Sequence, residues 1–226
     1  RFELTNPLFH YVANVLRLKE GQSLVLFNGD GCDYPSELCD LSKKSAEVIV
    51  DSQLALNVES PLHIHLMQAV SKGDRMDYAL QKSVELGVSK ITPITTENCN
   101  VKLSDVRWQK KVEQWQKIVV SACEQSGRNV VPKVAPVASF HQSLGINSDL
   151  QKVILAPRTT HYLSKLAKPK KGFMLLVGPE GGFSEKEIYN AEQRGFTSCN
   201  IGPRVLRTET AAVTGLSVLQ TLFGDL

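Results

Sequence analysis

Two glycine- and proline-rich segments are where residue type and spacing in this sequence could do chemistry. They are Leu176-Val177-Gly178-Pro179-Glu180-Gly181-Gly182-Phe183-Ser184 and Ile201-Gly202-Pro203-Arg204-Val205-Leu206-Arg207-Thr208-Glu209-Thr210. Gly178, Gly181 and Gly182 carry no side chains, so the main-chain amides and carbonyls around them are open to the close approach of a planar ligand. Each segment follows an apolar run that reads as a strand, and in a parallel sheet ligands collect at the carboxyl ends of strands. Taken singly, either segment could as well be an ordinary turn before a capped helix; two of them on two strand ends favour a ligand site. Neither matches G-x-x-x-x-G-K-[ST] or G-x-G-x-x-G, which removes the main support for a phosphate-cradling NTPase or a dinucleotide enzyme. No Ser/His/Asp order, H-E-x-x-H or paired metal carboxylates stand out, so a hydrolase is disfavoured.

The other reactive side chains point away from metal chemistry. Cys32, Cys39, Cys99, Cys123 and Cys199 are odd in number and scattered, with no C-x-x-C and no zinc-like spacing, so they read as reduced thiols. His63 and His65 could share one face of a strand, and two histidines in a half-buried strand is a simpler reading than a metal site. The net charge of +3 hides an asymmetry. Residues 1–57 carry five Lys/Arg against eight Asp/Glu, and residues 58–226 carry twenty-one against fifteen. That surplus permits a nucleic-acid partner without demanding one.

These segments must be positioned by a folded scaffold, and 226 residues that are 42% hydrophobic suffice for one large core or two modest ones. No run approaches the roughly 18 apolar residues of a membrane span, and Arg1-Phe2-Glu3-Leu4 lacks the regions of a secretory signal; a cytoplasmic protein with no membrane partner is expected. An early helix is expected through Phe9–Arg17, then strands at Ser23–Phe27, Tyr34–Leu41 and Ala46–Val50, with a tight reversal at Asn28-Gly29-Asp30-Gly31. This makes a small β-rich module of about residues 1–57, and the polar stretch Asp51–Ser60, ending before Pro61, is the candidate linker, although Leu54, Leu56 and Val58 could form a last strand.

Over residues 58–226 strands alternate with helices, which predicts a mostly parallel sheet. Ile64–Val70, Ile91–Ile94, Val153–Ala156, Phe173–Val177 and Ser198–Ile201 read as its strands. Asp74–Leu86 reads as a helix, and so does the stretch after Ser104, where Trp108, Val112, Trp115, Val119 and Ala122 form one apolar stripe ending at Gly127. The two tryptophans read as core rather than as a base-stacking platform. Ser184-Glu185-Lys186-Glu187 is a capping box that starts another helix. Thr210–Phe223 is apolar or small nearly all round, so it must be buried or pressed against a second subunit.

Val177-Gly178-Pro179-Glu180-Gly181-Gly182-Phe183-Ser184, followed by Ile201-Gly202-Pro203-Arg204-Val205-Leu206-Arg207-Thr208-Glu209-Thr210-Ala211, closely resembles the paired motifs of the 16S ribosomal RNA uridine-N3 methyltransferases of the SPOUT class. The resemblance extends over nearly the whole chain. Phe9-His10-Tyr11 with Val15-Leu16-Arg17 is similar to that family's amino-terminal signature, and Ser71-Lys72-Gly73, Glu85-Leu86-Gly87-Val88 and Glu124-Gln125-Ser126-Gly127-Arg128 recur in order. The net-acidic first module departs from what RNA contact would suggest.

The resemblance implies an α/β fold: a SPOUT-type, trefoil-knotted, mostly parallel sheet domain preceded by a small PUA-like β-barrel for RNA recognition. It implies S-adenosyl-L-methionine as cofactor, held by Leu155, Ala156 and Pro157, by Val177, Gly178, Pro179, Glu180 and Gly181, and by Ile201, Gly202, Val205 and Leu206. A Cβ added at Gly178 or Gly202 is expected to crowd that cofactor, and Gly178→Val to abolish its binding while leaving the fold intact. The implied reaction is methylation of N3 of a uridine in 16S rRNA of the small ribosomal subunit. Arg128 and Arg207 would stabilise charge on the base, and Glu209 would orient an arginine or accept the proton. RNA would meet Arg17, Lys43, Lys44, Lys72 and Arg75, whereas Lys168-Lys170-Lys171 reads as a solvated loop. A homodimer is implied, with no metal. Two alternatives stay open: the same scaffold acting on another RNA position, or a catalytically silent RNA-binding or ribosome-assembly factor.

Overall fold

A computed structural model describes residues 1–42 and 45–226, so Lys43 and Lys44 lie outside the described residues. The chain divides into two compact units, Arg1–Val58 with Gly127–Val130, and Glu59–Ser126 with Val131–Leu226.

In the first unit, β1 (Phe2–Leu4), β2 (Ser23–Leu26), β3 (Cys32–Leu41) and β4 (Ala46–Val50) form an antiparallel sheet in the order β1-β4-β3-β2, and β5 (Leu54–Ala55) pairs with β3. Alternation sets the inner face: Leu38, Ala46 and Val48 are buried together with Leu4 and Val12. β1 is too short to announce itself locally and owes its place to pairing with β4. The expected first helix is a short turn, α1 (Leu8–His10), continued by a π-helical turn over Tyr11–Val15. It ends at Arg17, which is exposed and has φ of 54°. The segment Gly127–Val130, which the sequence places in the second domain, groups with this unit: the Asn129 side-chain amide donates to Asp33 Oδ1 at 3.1 Å and to the Leu56 carbonyl at 2.9 Å.

In the second unit, the order of elements is β6 (His63–Ala69), α2 (Asp74–Glu85), β7 (Lys90–Thr95), α3 (Asp105–Ser126), β8 (Lys133–Val134), β9 (Ala138–Ser139), α4 (Phe140–Leu144), β10 (Gln151–Leu155), β11 (Gly172–Val177), α5 (Glu185–Gln193), β12 (Thr197–Cys199) and α6 (Thr208–Phe223). The sheet runs β12-β10-β11-β6-β7-β8, with β9 also pairing β7, and every pairing is parallel. All six residues of β11 are buried, which explains why its sequence is continuously apolar rather than alternating. One core cluster joins Met67, Ile94, Ile154, Met174 and Leu176 from the strands to Phe140, Leu144 and Ala191 from the helices. α4 escapes the sequence reading, although its capping box, Ser139 with Gln142, is complete. Trp115 is core as expected, whereas Trp108 is only partly covered.

β12 is the edge strand, yet α6, which follows it, packs against α2, β11 and β6 in the middle of the sheet. The connection Asn200–Arg207 therefore returns across the carboxyl ends of β10 and β11. α6 lies close to the sheet because Gly215 has no side chain: a Cβ there would stand 3.2 Å from both Leu155 and Leu175 methyl carbons. Among the described residues no helix is long and apolar enough to cross a membrane.

Candidate functional site

Three loops meet at the carboxyl ends of β10, β11 and β12: Leu155–Arg158, Val177–Phe183 and Asn200–Arg207. Hydrogen bonds hold them in register. The Ala156 amide donates to the Cys199 carbonyl at 2.9 Å, and the Asn200 amide to the His161 carbonyl at 2.8 Å. The Asn200 side chain donates to the Thr159 carbonyl, while its Oδ1 is buried without a partner. Arg158 has φ of 73°, an uncommon conformation for a side-chain-bearing residue, which marks the first loop as constrained by its neighbours.

The second loop is fixed from three sides. Ser184 and Glu187 complete the expected capping box, and buried Glu187 also accepts from the Glu97 amide at 2.9 Å. Asn98 donates to the Gly181 and Gly182 carbonyls at 3.2 and 3.1 Å. Thr208 Oγ1, at the start of α6, donates to the Gly178 carbonyl at 2.5 Å and accepts from Gln68 Nε2 at 2.9 Å. Gln68 and Thr208 are both buried, so the tip of β6, the Gly178 loop and the head of α6 are joined by one internal relay. Sequence reasoning missed Gln68 and Thr208 as loop-holding residues because their partners lie 140 and 30 residues away.

The glycines do different jobs. A Cβ at Gly178 would stand 3.1 Å from the Phe183 ring, which itself packs on Phe140 with centroids 5.7 Å apart. The space over Gly178 is thus taken by the Phe183 ring, which must give way for any side chain there, so Gly178→Val carries a packing cost besides its expected effect on the cofactor. A Cβ at Gly181 would stand 2.9 Å from Asn98 Cβ. Gly182 and Gly202 are open, with nothing within 4 Å of the position a Cβ would take, and of the two only Gly182 has a positive φ, 68°.

Of the other residues singled out, Leu155 and Ala156 are buried and Pro157 is exposed; Val177 and Pro179 are buried; Ile201 and Leu206 are half-buried; Val205 is 77% exposed. Glu180 pairs with Arg75 at 2.9 Å and accepts from the Lys72 amide at 3.4 Å, which brings Lys72 and Arg75 against the Gly178 loop. Lys72, Arg75, Asn100 and Glu180 line a cleft of about 410 Å³ there. Arg207 stands at the N-cap position of α6 without a side-chain cap bond and is exposed; Glu209, in the helix's first turn, has Oε2 buried and without a partner. Arg128 is buried and groups with the first unit. His65 is buried against Thr92 Oγ1 at 2.8 Å, and burial pushes its pKa down to about 4, with Lys90 and then His63 adding to the effect. It stands in the core of the strand, away from the loops.

A family model described as an RNA methyltransferase domain matches residues 58–220, and one described as an RNA methyltransferase PUA domain matches residues 4–51. A parallel sheet carrying these three loops, preceded by a small β domain, therefore defines an RNA methyltransferase of the two-domain PUA type. Relatives named ribosomal RNA small subunit methyltransferase E include one from Buchnera aphidicola, 39% identical over 96% of this chain and 86% of its own, and one from Bacillus subtilis, 34% identical over 96% of this chain and 89% of its own. The chain belongs to that family, the small-subunit ribosomal RNA methyltransferases E. Among solved structures, a Legionella pneumophila protein described as a methyltransferase in complex with the bound cofactor SAM superposes with a TM-score of 0.96, at 44% identity over 100% of this chain and 93% of that one. The Neisseria gonorrhoeae family member bound to S-adenosyl methionine gives 0.93 at 40% identity, over 100% and 93%.

Proposed function

We propose that this protein transfers the methyl group of S-adenosylmethionine to N3 of a uridine in 16S ribosomal RNA. The observation that carries the reading is at the end of β12: no atom stands within 4 Å of the position a Gly202 Cβ would take, and two residues earlier the Asn200 Oδ1 is buried without a partner, which is room beside an unmet acceptor. A nucleoside cofactor needs room, apolar walls, main-chain hydrogen bonds on the base edge, and few polar groups. Leu155, Ala156, Pro157, Val177, Gly178, Pro179, Glu180, Gly181, Ile201, Gly202, Val205 and Leu206 would hold it. When bound, the cofactor supplies an activated methyl on a sulfonium centre. The two solved relatives that carry it support this assignment.

The chain's own residues deal with the uridine. N3 carries a proton in the neutral base, so the proton must leave and the charge on O2 and O4 must be met by donors. Arg207, at the head of α6 beside the loop, would be one such donor, and the resemblance assigns the same role to Arg128. Glu209 stands two residues on with a buried, unpartnered oxygen, and it accepts the proton or orients an arginine. Arg17, Lys72 and Arg75 meet the RNA backbone, and the target base leaves its stack to reach the slot. The return of Asn200–Arg207 from the edge strand to central α6 supports a trefoil-knotted, SPOUT-type path. A homodimer completes the reading, because Leu222 on α6 and Val205 leave apolar surface that a second copy would cover. Sedimentation across a concentration series would give a two-chain mass, and a persistent monomer would refute the dimer.

The decisive experiment is nucleoside mass spectrometry of 16S rRNA from a strain lacking this gene. Loss of N3-methyluridine, restored by the wild-type gene, is expected. Loss of a different methylated nucleoside would move the target while keeping the enzyme, and an unchanged profile would leave only the silent-factor reading.

A further inference from the structure

We propose that a second cleft in the methyltransferase unit is an RNA subsite, holding a nucleotide of the substrate strand other than the one that is methylated. The inference rests on the RNA methyltransferase reading and adds a place on the protein that the reading does not need. The cleft, about 330 Å³, is lined by Ser71, Lys72, Asn100, Lys102, Trp108 and Lys111 among others. It sits past the carboxyl end of β6, between α2 and the start of α3, so it lies at the same carboxyl end of the parallel sheet as the three loops.

Four observations define its ligand. Lys72, Lys102 and Lys111 face a single carboxylate in the lining, Asp77, so the cleft favours an anion. The Trp108 ring is partly exposed and is backed by buried Trp115, with centroids 6.4 Å apart, which offers one supported aromatic face to a flat group. Ser71 is only 5% exposed and its Oγ has no hydrogen-bond partner, and a buried hydroxyl is costly in that state unless a ligand takes it. Asn100 lines both this cleft and the neighbouring one that reaches Glu180 on the Gly178 loop, so a chain seated here has a path to the proposed cofactor slot. A cation set for phosphate, a ring for stacking and polar side chains for a base edge are the requirements of a single-stranded nucleotide. An acidic peptide would satisfy the lysines and leave the Trp108 face without a planar partner.

The chain has two tryptophans and both line the cleft, so quenching of tryptophan fluorescence reports on its occupation. The probe is a short single-stranded oligonucleotide with a small-subunit rRNA sequence, titrated at several salt concentrations. Saturable quenching is expected in the wild type. In the Lys102→Glu/Lys111→Glu variant the quenching should disappear and affinity fall roughly tenfold or more. The neutral pair Lys102→Gln/Lys111→Gln should flatten the dependence of log K on log salt by about 1.4, two phosphate contacts on a single strand. With affinity read instead from the anisotropy of a fluorescein-labelled form of the oligonucleotide, Trp108→Phe should keep most of the affinity and Trp108→Ala should lose roughly five- to tenfold. Cofactor affinity by calorimetry should be unchanged in all of them. Wild-type affinity and salt slope in both lysine pairs would overturn the subsite while leaving the enzyme intact; a wild-type protein that binds the cofactor but no RNA would overturn the underlying reading as well.

Discussion

Thr208→Val tests whether the buried relay Gln68–Thr208–Gly178 sets the geometry of the cofactor loop. Valine nearly matches threonine in shape, so the substitution opens no cavity and removes only the hydroxyl. Two hydrogen bonds go with it, the 2.5 Å donation to the Gly178 carbonyl and the 2.9 Å donation from Gln68 Nε2. Gln68 is fully buried and keeps one bond, to the Ala69 carbonyl at 3.1 Å, while its Oε1 already lacks a partner. Each lost bond is worth about 1 kcal/mol net, and stranding a buried donor adds about 1–2 kcal/mol, so a loss of roughly 2–4 kcal/mol is expected. For a protein of this size that lowers the melting temperature by roughly 5–15 °C. With the Gly178 carbonyl released, cofactor affinity should fall on the order of tenfold, about 1.4 kcal/mol. Thr208→Ser, which keeps the hydroxyl, supplies the control: it should retain cofactor affinity and lose about 1 kcal/mol of stability from its missing methyl. Denaturant unfolding and calorimetry read the two quantities. A valine variant as stable and as tightly binding as the serine variant would show that the relay positions nothing.

What the sequence made legible follows the reach of its interactions. Phe173–Val177 is recognisable as a covered strand because burial on both faces writes an unbroken apolar run, and Ser184 with Glu187 because a capping box needs only residues three apart. The same local signal at Ser139 and Gln142 was readable too, but α4 is five residues long and offers no periodic stripe beside it. β1 was not legible, since three residues acquire strand geometry only from β4, more than forty positions away. At the site, glycine content marked the loops correctly but not what each glycine makes room for. Gly178 admits the Phe183 ring and Gly202 faces open space, a distinction that depends on tertiary packing. Glu180 is another case: the sequence places it among the loop glycines, and its ion-pair partner, Arg75, lies 105 residues away. His65 shows the reverse: the sequence reads a half-buried strand there, whereas β6 is buried on both faces from Ile64 onward and His65 is covered beside Thr92 of the neighbouring strand.

Gly202→Val separates cofactor binding from folding, because the added side chain enters open space: the melting temperature should stay within about 2 °C of wild type while cofactor affinity drops at least tenfold. Wild-type affinity in that variant would remove Gly202 from the slot. His65 makes stability depend on acid. Its folded pKa is about 4 against an ordinary 6.5, so between these values the unfolded chain takes up a proton that the folded chain refuses. Stability is therefore fully present above pH 6.5 and falls as pH drops toward 4, by roughly 3 kcal/mol at 1.36 kcal/mol per unit. Below pH 4 both states are protonated and this contribution no longer changes. His65→Gln, with no proton to take up, should lack that segment of the pH–stability curve in denaturant unfolding, and the wild-type ring should titrate near 4 by NMR. A His65 resonance titrating near 6.5 would mean that water reaches the ring and that the strand is not packed as described.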